Sequence, residues 1–223
     1  TCPYLTGVVM SYASSSKTML VLFQGDSVTD WGRDYDNAES LGYGYPFLTA
    51  NWFSALHPEK NVRFVNRGVS GNRVRDLEKR WKADCLDLKP HVVSIMIGIN
   101  DCWRRYDQND PTSVESFEAG YTNILAQTRE HLDAEIVLIE PFLLPVLPGQ
   151  EEWREDLDPK IQVVRKLARE FETALIPMDG LFGQAMTKRD PSYWAADGVH
   201  PTDPGHALIA QAWLKTVSWL KGR

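Results

Sequence analysis

The chain has 223 residues, 43% of them hydrophobic and 24% charged, which is ordinary for one globular domain with a substantial core. A formal net charge of -6 and a pI near 5.4 argue against nucleic acid or an anionic membrane as its main partner. No apolar run in the sequence approaches the ~18 residues that a membrane span requires.

The first 18 residues are predicted to form an N-terminal arm ahead of a single domain that covers residues 19–223. The arm has one short apolar patch at residues 8–10 and no basic start, so it makes a poor signal peptide. Cys2, Cys85 and Cys102 are an odd number without metal-type spacing, which favours free thiols over a disulfide framework. Both features predict a cytoplasmic protein.

Strand and helix patterns alternate along the rest of the chain. Short apolar runs predict five strands, at residues 19–25, 62–66, 92–98, 135–140 and 174–178. Helices are predicted at residues 45–56, 75–88, 113–132, 160–171 and 204–220. Residues 141–159 form the longest stretch without either pattern and are expected to be a loop beside the site. The alternation predicts an α/β protein whose parallel sheet is covered on both faces, with its site at the carboxyl ends of the strands.

Three of the predicted strands end in segments that could build such a site. Gly25 follows the first strand, where it can take a strained conformation that leaves Ser27 at the sheet edge. Residues 66–72 follow the second strand, and their glycines can aim a backbone N–H into the site. The segment around Asn100 follows the third strand and places an amide there. Each segment alone is weak evidence, since serine often caps helices and glycine turns are common.

Near the C-terminus, Asp197 precedes His200 by three residues. On a helical turn this spacing lets the carboxylate hold the imidazole Nδ1–H and direct Nε2 outward. Asp203 and His206 repeat the spacing, but there Asp203 is expected to cap the last helix, with Pro204 at its first position. His200, placed in a loop, is therefore favoured over His206 as the catalytic histidine.

Together the four segments resemble the SGNH (GDSL-type) hydrolase superfamily, whose blocks carry Ser in GDS, Gly in the second block, Asn in GxND and His in DxxH. All four occur in this order between residues 25 and 201. The stretches VNRGVSGNRVRDLEKRW and VSIMIGINDCWRRYD are most similar to the intracellular acetylxylan esterases of that superfamily. The resemblance implies a three-layer α/β/α sandwich, a flavodoxin-like fold with a five-stranded parallel sheet. It also implies a serine esterase that removes O-acetyl groups from xylo-oligosaccharides or related sugars.

The resemblance further implies a role for each conserved-block residue. The implied catalytic triad is Ser27, His200 and Asp197. The implied oxyanion hole consists of the backbone N–H groups of Ser27 and Gly71 and the side-chain amide of Asn100. This chemistry needs no metal or organic cofactor. Asp26 and Asp101, which flank site residues, are interpreted as hydrogen-bonding scaffold.

Aromatic residues beyond the blocks suggest how a substrate is held. Trp31, Trp103 and Tyr106 are candidate walls of the substrate pocket, although ordinary packing explains each of them about equally well. The expected substrate is a small acetylated sugar or oligosaccharide, with neither nucleic acid nor a membrane as partner. A homo-oligomer is also expected. However, this chain has Ala196 where the similar esterases carry a tryptophan that helps to assemble the oligomer, with Trp194 two residues earlier.

Three alternatives stay open. The same machinery could serve another acyl group, as in a lysophospholipase, thioesterase or arylesterase, although the acidic charge and the lack of a lid-like amphipathic helix weigh against lipids. A carbohydrate-binding protein with a degenerate site would not need the complete set of block residues. A metal site could use four residues that recur at intervals of three, but Pro201 and Pro204 interrupt any single helical face. Those four residues are Asp197, His200, Asp203 and His206.

Overall fold

The computed structural model describes residues 18–218, which contain a five-stranded parallel sheet. Its strands are β1 (Met19–Gly25), β2 (Val62–Asn66), β3 (Val92–Met96), β4 (Glu135–Ile139) and β5 (Ala174–Ile176). Their order across the sheet is β2-β1-β3-β4-β5, which is the flavodoxin-like order of doubly wound sheets. The predicted α/β fold class is therefore confirmed. The predicted N-terminal arm lies outside the described residues, apart from its last residue.

Helices connect the strands. The helices among residues 18–218 are α1 (Ser27–Asp30), α2 (Tyr45–Leu56), α3 (Val74–Asp84), α4 (Ile99–Asp107), α5 (Val114–His131), α6 (Arg154–Glu170), α7 (Met178–Met186), α8 (Pro191–Trp194) and α9 (Asp203–Thr216). Two 3-10 turns cover Leu86–Leu88 and Gln150–Trp153. Within this described part, no helix combines the length and the apolar character needed to cross a membrane.

Side chains of the strands alternate between two apolar layers, as the two-residue period of a strand requires. Val21 and Phe23 of β1 belong to a buried cluster with α2, α7 and α9, whereas Leu20 and Leu22 belong to the cluster with α3, α5 and α6. Trp213 of α9 lies against Phe23, and its Nε1–H donates to the buried Ser94 of β3 at 3.1 Å. A polar residue in the central strand is thus satisfied by the helix that covers it.

The predicted loop at residues 141–159 is wrong in its second half. After Gly149 the chain forms a 3-10 turn and then α6, which begins six residues before the predicted helix and includes Pro159. Lys160 is fully buried and pairs with Asp156 one turn earlier at 2.6 Å. The pair leaves neither charge buried alone, and Leu157 and Ile161 of the same helix belong to a buried cluster with Ile99 and Cys102 of α4.

Other boundaries differ less. The predicted helix 75–88 begins at Val74 but ends at Asp84, and the 3-10 turn follows. The last helix begins at Asp203 and ends at Thr216; the final residues of its predicted span, 219–220, lie outside the described part. Four helices of the described part have no counterpart among the predicted ranges, namely α1, α4, α7 and α8. Of these, α1 and α4 matter most here, because they carry Ser27 and Asn100.

Candidate active site

Ser27 is the first residue of α1, directly after the carboxyl end of β1. Asp26 caps this helix, because its carboxylate accepts a hydrogen bond from the N–H of Val28 at 3.0 Å. The serine hydroxyl is therefore not used as a cap and lies 2.9 Å from His200 Nε2. Gly25 does not have the strained backbone that was expected. It is needed for space, since a Cβ there would lie 2.2 Å from Thr29 Oγ1 and 2.5 Å from the carbonyl of Met96.

Asp197 and His200 lie in the loop between α8 and α9, opposite Ser27. The second imidazole nitrogen of His200, Nδ1, is 2.7 Å from Asp197 Oδ2. The other carboxylate oxygen accepts from the backbone N–H of His200 at 2.7 Å and of Val199 at 2.9 Å. The Asp197 carbonyl in turn accepts from Gln150 Nε2 at 2.7 Å. Both oxygens of the carboxylate thus accept hydrogen bonds from His200 or its neighbour Val199, which fixes the orientation of the imidazole.

The electrostatics of the pair favour a strongly polarised imidazole. Burial opposes ionisation of Asp197, but the hydrogen bonds from His200 and from the two backbone N–H groups outweigh it and lower its pKa to about 2. The hydrogen bond to Asp197 raises the pKa of His200, and burial offsets part of the rise. A histidine so held can accept a proton from Ser27 and remain paired afterwards.

The second-block glycines lie in the loop after β2. Gly71 has a φ of +80° with nothing within 4 Å of a Cβ, so its backbone conformation favours glycine there. Gly68 serves close approach instead, since its Cβ would lie 2.4 Å from the N–H nitrogen of Asp30. The Asp30 carboxylate accepts from both the N–H of Ser70 at 3.0 Å and the Ser70 hydroxyl at 2.6 Å. The residue before Gly71 is therefore tied to α1, the helix of Ser27.

Asn100 is buried as the second residue of α4, beyond β3. Its Nδ2 donates to the carbonyl of Asn72 at 3.1 Å, and its Oδ1 accepts from Arg104 at 3.1 Å. The amide is thus joined to the loop of Gly71. Asp101 beside it accepts from the N–H of Val74 at 3.1 Å, and burial raises its pKa to about 7. These contacts agree with the interpretation of Asp101 as scaffold.

Two of the three candidate wall residues lie against His200. The ring centroid of Trp31 is 5.9 Å from that of His200, and the centroid of Trp103 is 5.8 Å from it. Tyr106 lies further along α4, the helix of Trp103. There it stacks on Trp153 with centroids 5.2 Å apart and donates to the carbonyl of Glu152. The structure therefore brings Trp31 and Trp103 to the site and leaves Tyr106 in the adjoining aromatic cluster.

His206 lies in α9 with its side chain turned inward, where Nδ1 accepts from the N–H of Tyr45 at 3.1 Å. Burial, with a smaller contribution from His200, lowers its pKa to about 4. The predicted cap of α9 is wrong by one residue: Thr202 accepts from the N–H of Gly205, and Asp203 is the first helical residue. Among the described residues no three His, Cys, Asp or Glu side chains are grouped as metal ligands, and this includes the four residues considered above.

Sequence reasoning missed three residues that shape the site. Asp30 accepts a hydrogen bond from Ser70 in the loop after β2, and Arg104 donates one to Asn100 in the segment after β3. Trp153 packs against Trp103 at a centroid distance of 5.7 Å. Asp30 and Arg104 stand three and four residues after Ser27 and Asn100. One helical turn separates the members of each pair, and that spacing was the only signal in the sequence.

Comparisons with known proteins identify the family of the chain. The model of the GDSL-like Lipase/Acylhydrolase family matches residues 23–208. An acetylxylan esterase from Geobacillus stearothermophilus is 35% identical over 213 residues, which cover 91% of this chain and 96% of that protein. A solved structure of a GDSL-like lipase from Parabacteroides merdae is 36% identical with a TM-score of 0.86, covering 90% of this chain and 95% of the other.

The Geobacillus acetylxylan esterase has also been solved, with a TM-score of 0.83, 34% identity and coverage of 89% of this chain and 94% of that one. Three further structures are of its catalytic mutants, in which a serine, an aspartate or a histidine is replaced by alanine. The aspartate and the histidine stand three positions apart, as Asp197 and His200 do here.

Proposed function

Because the chain belongs to the GDSL-like lipase/acylhydrolase family and is a serine esterase, we propose that it removes O-acetyl groups from xylo-oligosaccharides or related acetylated sugars. The proposed catalytic triad is Ser27, His200 and Asp197. The observation that carries the proposal is the continuous hydrogen-bonded series from Ser27 Oγ through the His200 imidazole to Asp197, with distances of 2.9 and 2.7 Å.

The proposed first step is attack of Ser27 Oγ on the ester carbonyl carbon. His200 Nε2 takes the hydroxyl proton as the bond forms and gives it to the departing sugar oxygen. Asp197 stabilises the imidazolium in between. The acetyl group is left on Ser27. Water, deprotonated by His200, then attacks the acyl carbon, and His200 returns that proton to Ser27 Oγ as the bond between the acyl carbon and Oγ breaks. Acetic acid leaves and releases its proton to solvent, so the proposed cycle balances without a cofactor.

Negative charge develops on the carbonyl oxygen in both steps and needs fixed donors. We assign this role to the backbone N–H groups of Ser27 and Gly71 and to the Asn100 amide. The support is positional, since the three segments follow adjacent strands and Asn100 is hydrogen-bonded to the loop of Gly71. Removing one such donor typically lowers kcat on the order of 10²-fold or more.

The choice of acetate as the acyl group rests on the aromatic rings beside the triad and on the acetylxylan esterase relative. Trp31 and Trp103 both lie beside the His200 ring, where they would limit a long acyl chain and offer apolar faces to a pyranose ring. We also propose a homo-oligomer and a cytoplasmic location. The location is supported by Cys85 and Cys102, which are free, buried thiols whose pKa values burial raises to about 12.

A substrate panel tests the proposal. We expect kcat/KM to fall at least about tenfold from p-nitrophenyl acetate to the hexanoate ester, and acetate to be released from acetylated xylo-oligosaccharides. Ser27→Ala serves as the control that binds substrate without forming an acyl-enzyme. Equal or faster hydrolysis of octanoate would contradict the deacetylase assignment and support the alternative of a lysophospholipase, thioesterase or arylesterase on the same fold.

A further inference from the structure

Arg104 lies one turn beyond Asn100 on α4, and three groups fix its guanidinium. Nη2 donates to Asn100 Oδ1 at 3.1 Å, Nη1 pairs with the carboxylate of Asp107, and the guanidinium carbon lies 4.9 Å above the Trp103 ring. Only 18% of the side chain is exposed. A cation held this firmly, in direct contact with a residue of the proposed oxyanion hole, is more than a solvated surface charge.

The two hydrogen-bond partners of the Asn100 side chain determine where its amide oxygen and its amide nitrogen lie. Arginine can only donate hydrogen bonds and the carbonyl of Asn72 can only accept them, so Oδ1 must face Arg104 and Nδ2 must face Asn72. The Nδ2 group carries two hydrogens, and Asn72 takes one. The other has no acceptor among the described residues and is free to donate to a developing oxyanion.

We propose that Arg104 is a positioning residue for ester hydrolysis, which holds the Asn100 amide with its NH₂ group toward the oxyanion and polarises it through Oδ1. The inference rests on the oxyanion role proposed for Asn100. A charged donor on the amide oxygen draws electron density from the nitrogen and makes its N–H a stronger donor. Because the contact exists before substrate binds, the gain in the transition state needs no reorganisation.

A second effect of Arg104 is electrostatic and separates this role from a purely structural one. Three charged groups face His200: Asp197 and Asp26 favour its protonated form, whereas Arg104 opposes it. Removing the positive charge at residue 104 should raise the pKa of His200. The acid limb of kcat/KM should then move to higher pH, since the base must be neutral to act.

The test is a double-mutant cycle on p-nitrophenyl acetate with Arg104→Met, Asn100→Ala and the two combined. Rates are expressed per active site, counted with a serine-directed phosphonate, so that unfolded protein does not contribute. We expect Arg104→Met alone to lower kcat about tenfold with KM changed less than about threefold. In the Asn100→Ala background the same substitution should change kcat less than about twofold.

Two further variants complete the design. Arg105→Met is the matched control, because this neighbour pairs with Glu155 and Asp156 away from Asn100, and it should retain wild-type kcat. Arg104→Lys keeps the charge, so its pH profile should match the wild type while its kcat lies between those of the wild type and Arg104→Met. If Arg104→Met does not fold, Arg104→Lys replaces it in the double-mutant cycle.

Four results would overturn the inference. If the effects of Arg104→Met and Asn100→Ala multiply, Arg104 acts independently of the amide. If Arg104→Met changes KM alone, the guanidinium binds substrate in the ground state. If Asn100→Ala is slow while Arg104→Met and Arg104→Lys are as fast as the wild type, Arg104 has no role and the proposed function stands. If Asn100→Ala itself keeps wild-type kcat, the oxyanion assignment fails and the inference with it.

Discussion

Replacing His206 by asparagine should make the folded protein less sensitive to acid. In the wild type the buried imidazole accepts the Tyr45 N–H on Nδ1, and its Nε2 has no hydrogen-bond partner among the described residues. Protonating Nδ1 would break the bond to Tyr45 and place a charge in an apolar layer beside Trp31. Asparagine can offer its Oδ1 to the same N–H but cannot titrate.

The magnitude follows from the pKa of His206, about 4 in the folded protein against an ordinary value of 6.5. Above pH 6.5 the histidine is neutral in both the folded and the unfolded protein, so it does not lower the free energy of unfolding. As the pH falls below 6.5 the unfolded chain takes up the proton first, so the free energy of unfolding decreases until the pH reaches about 4. At about 1.4 kcal/mol for each unit of difference in pKa, the full loss is about 3 kcal/mol, of which about 2 kcal/mol falls between pH 7.5 and 5.0.

Urea unfolding followed by tryptophan fluorescence at pH 7.5 and 5.0 measures this loss. The wild type should lose about 2 kcal/mol more than His206→Asn between the two pH values. His131→Asn, which changes an exposed histidine at the end of α5, should behave as the wild type. The kcat of His206→Asn should also stay within about tenfold of the wild-type value, because His200 is the proposed base. Equal losses in the wild type and His206→Asn would refute the reasoning.

Three other predictions concern the site. His200→Ala should lower kcat on the order of 10⁴-fold with its unfolding curve unchanged, and activity within tenfold of the wild type would remove His200 from the triad. Asp30→Asn should lower kcat about tenfold and stability by ~1–2 kcal/mol, because Asp30 holds Ser70 beside Gly71; a change in stability alone would contradict the link to the oxyanion loop. The wild-type kcat/KM should fall in acid with a midpoint above 6.5, since Asp197 raises the pKa of His200, and a lower midpoint would speak against that pairing.

The strands could be predicted from the sequence because burial on both faces leaves a recognisable apolar run. The prediction for β1 matches the structure to the residue, and β3 is two residues shorter than its run because the chain turns at Ile97 and Gly98 to begin α4. The four motif segments could be found for a related reason. They stand directly after strands or in a short loop, where sequence position and position at the sheet edge coincide.

What could not be predicted depends on contacts between distant segments. The start of α6 is obscured by Pro159 and by the four charged residues among positions 154–158, and it is explained by the buried cluster that Leu157 and Ile161 form with Ile99 and Cys102 of α4. In the sequence, only its spacing of four residues from Asn100 sets Arg104 apart from the other arginines. Its contact with Asn100 has meaning only once Asn72, from another loop, is seen on the other side of the amide.

The two Asp-x-x-His pairs show most clearly how the tertiary structure assigns chemistry to identical spacings. His200 has a carboxylate on Nδ1 and the Ser27 hydroxyl on Nε2, so its protonated form is stabilised and its pKa is raised. His206 has a backbone N–H on Nδ1 and is buried, so its neutral form is stabilised and its pKa is lowered. Only the first arrangement can hold a proton between two steps of a reaction. Since Trp31 contacts both rings, with centroid distances of 5.1 Å to His206 and 5.9 Å to His200, the inward-facing His206 supports a wall of the candidate site, and His200 is its proposed base.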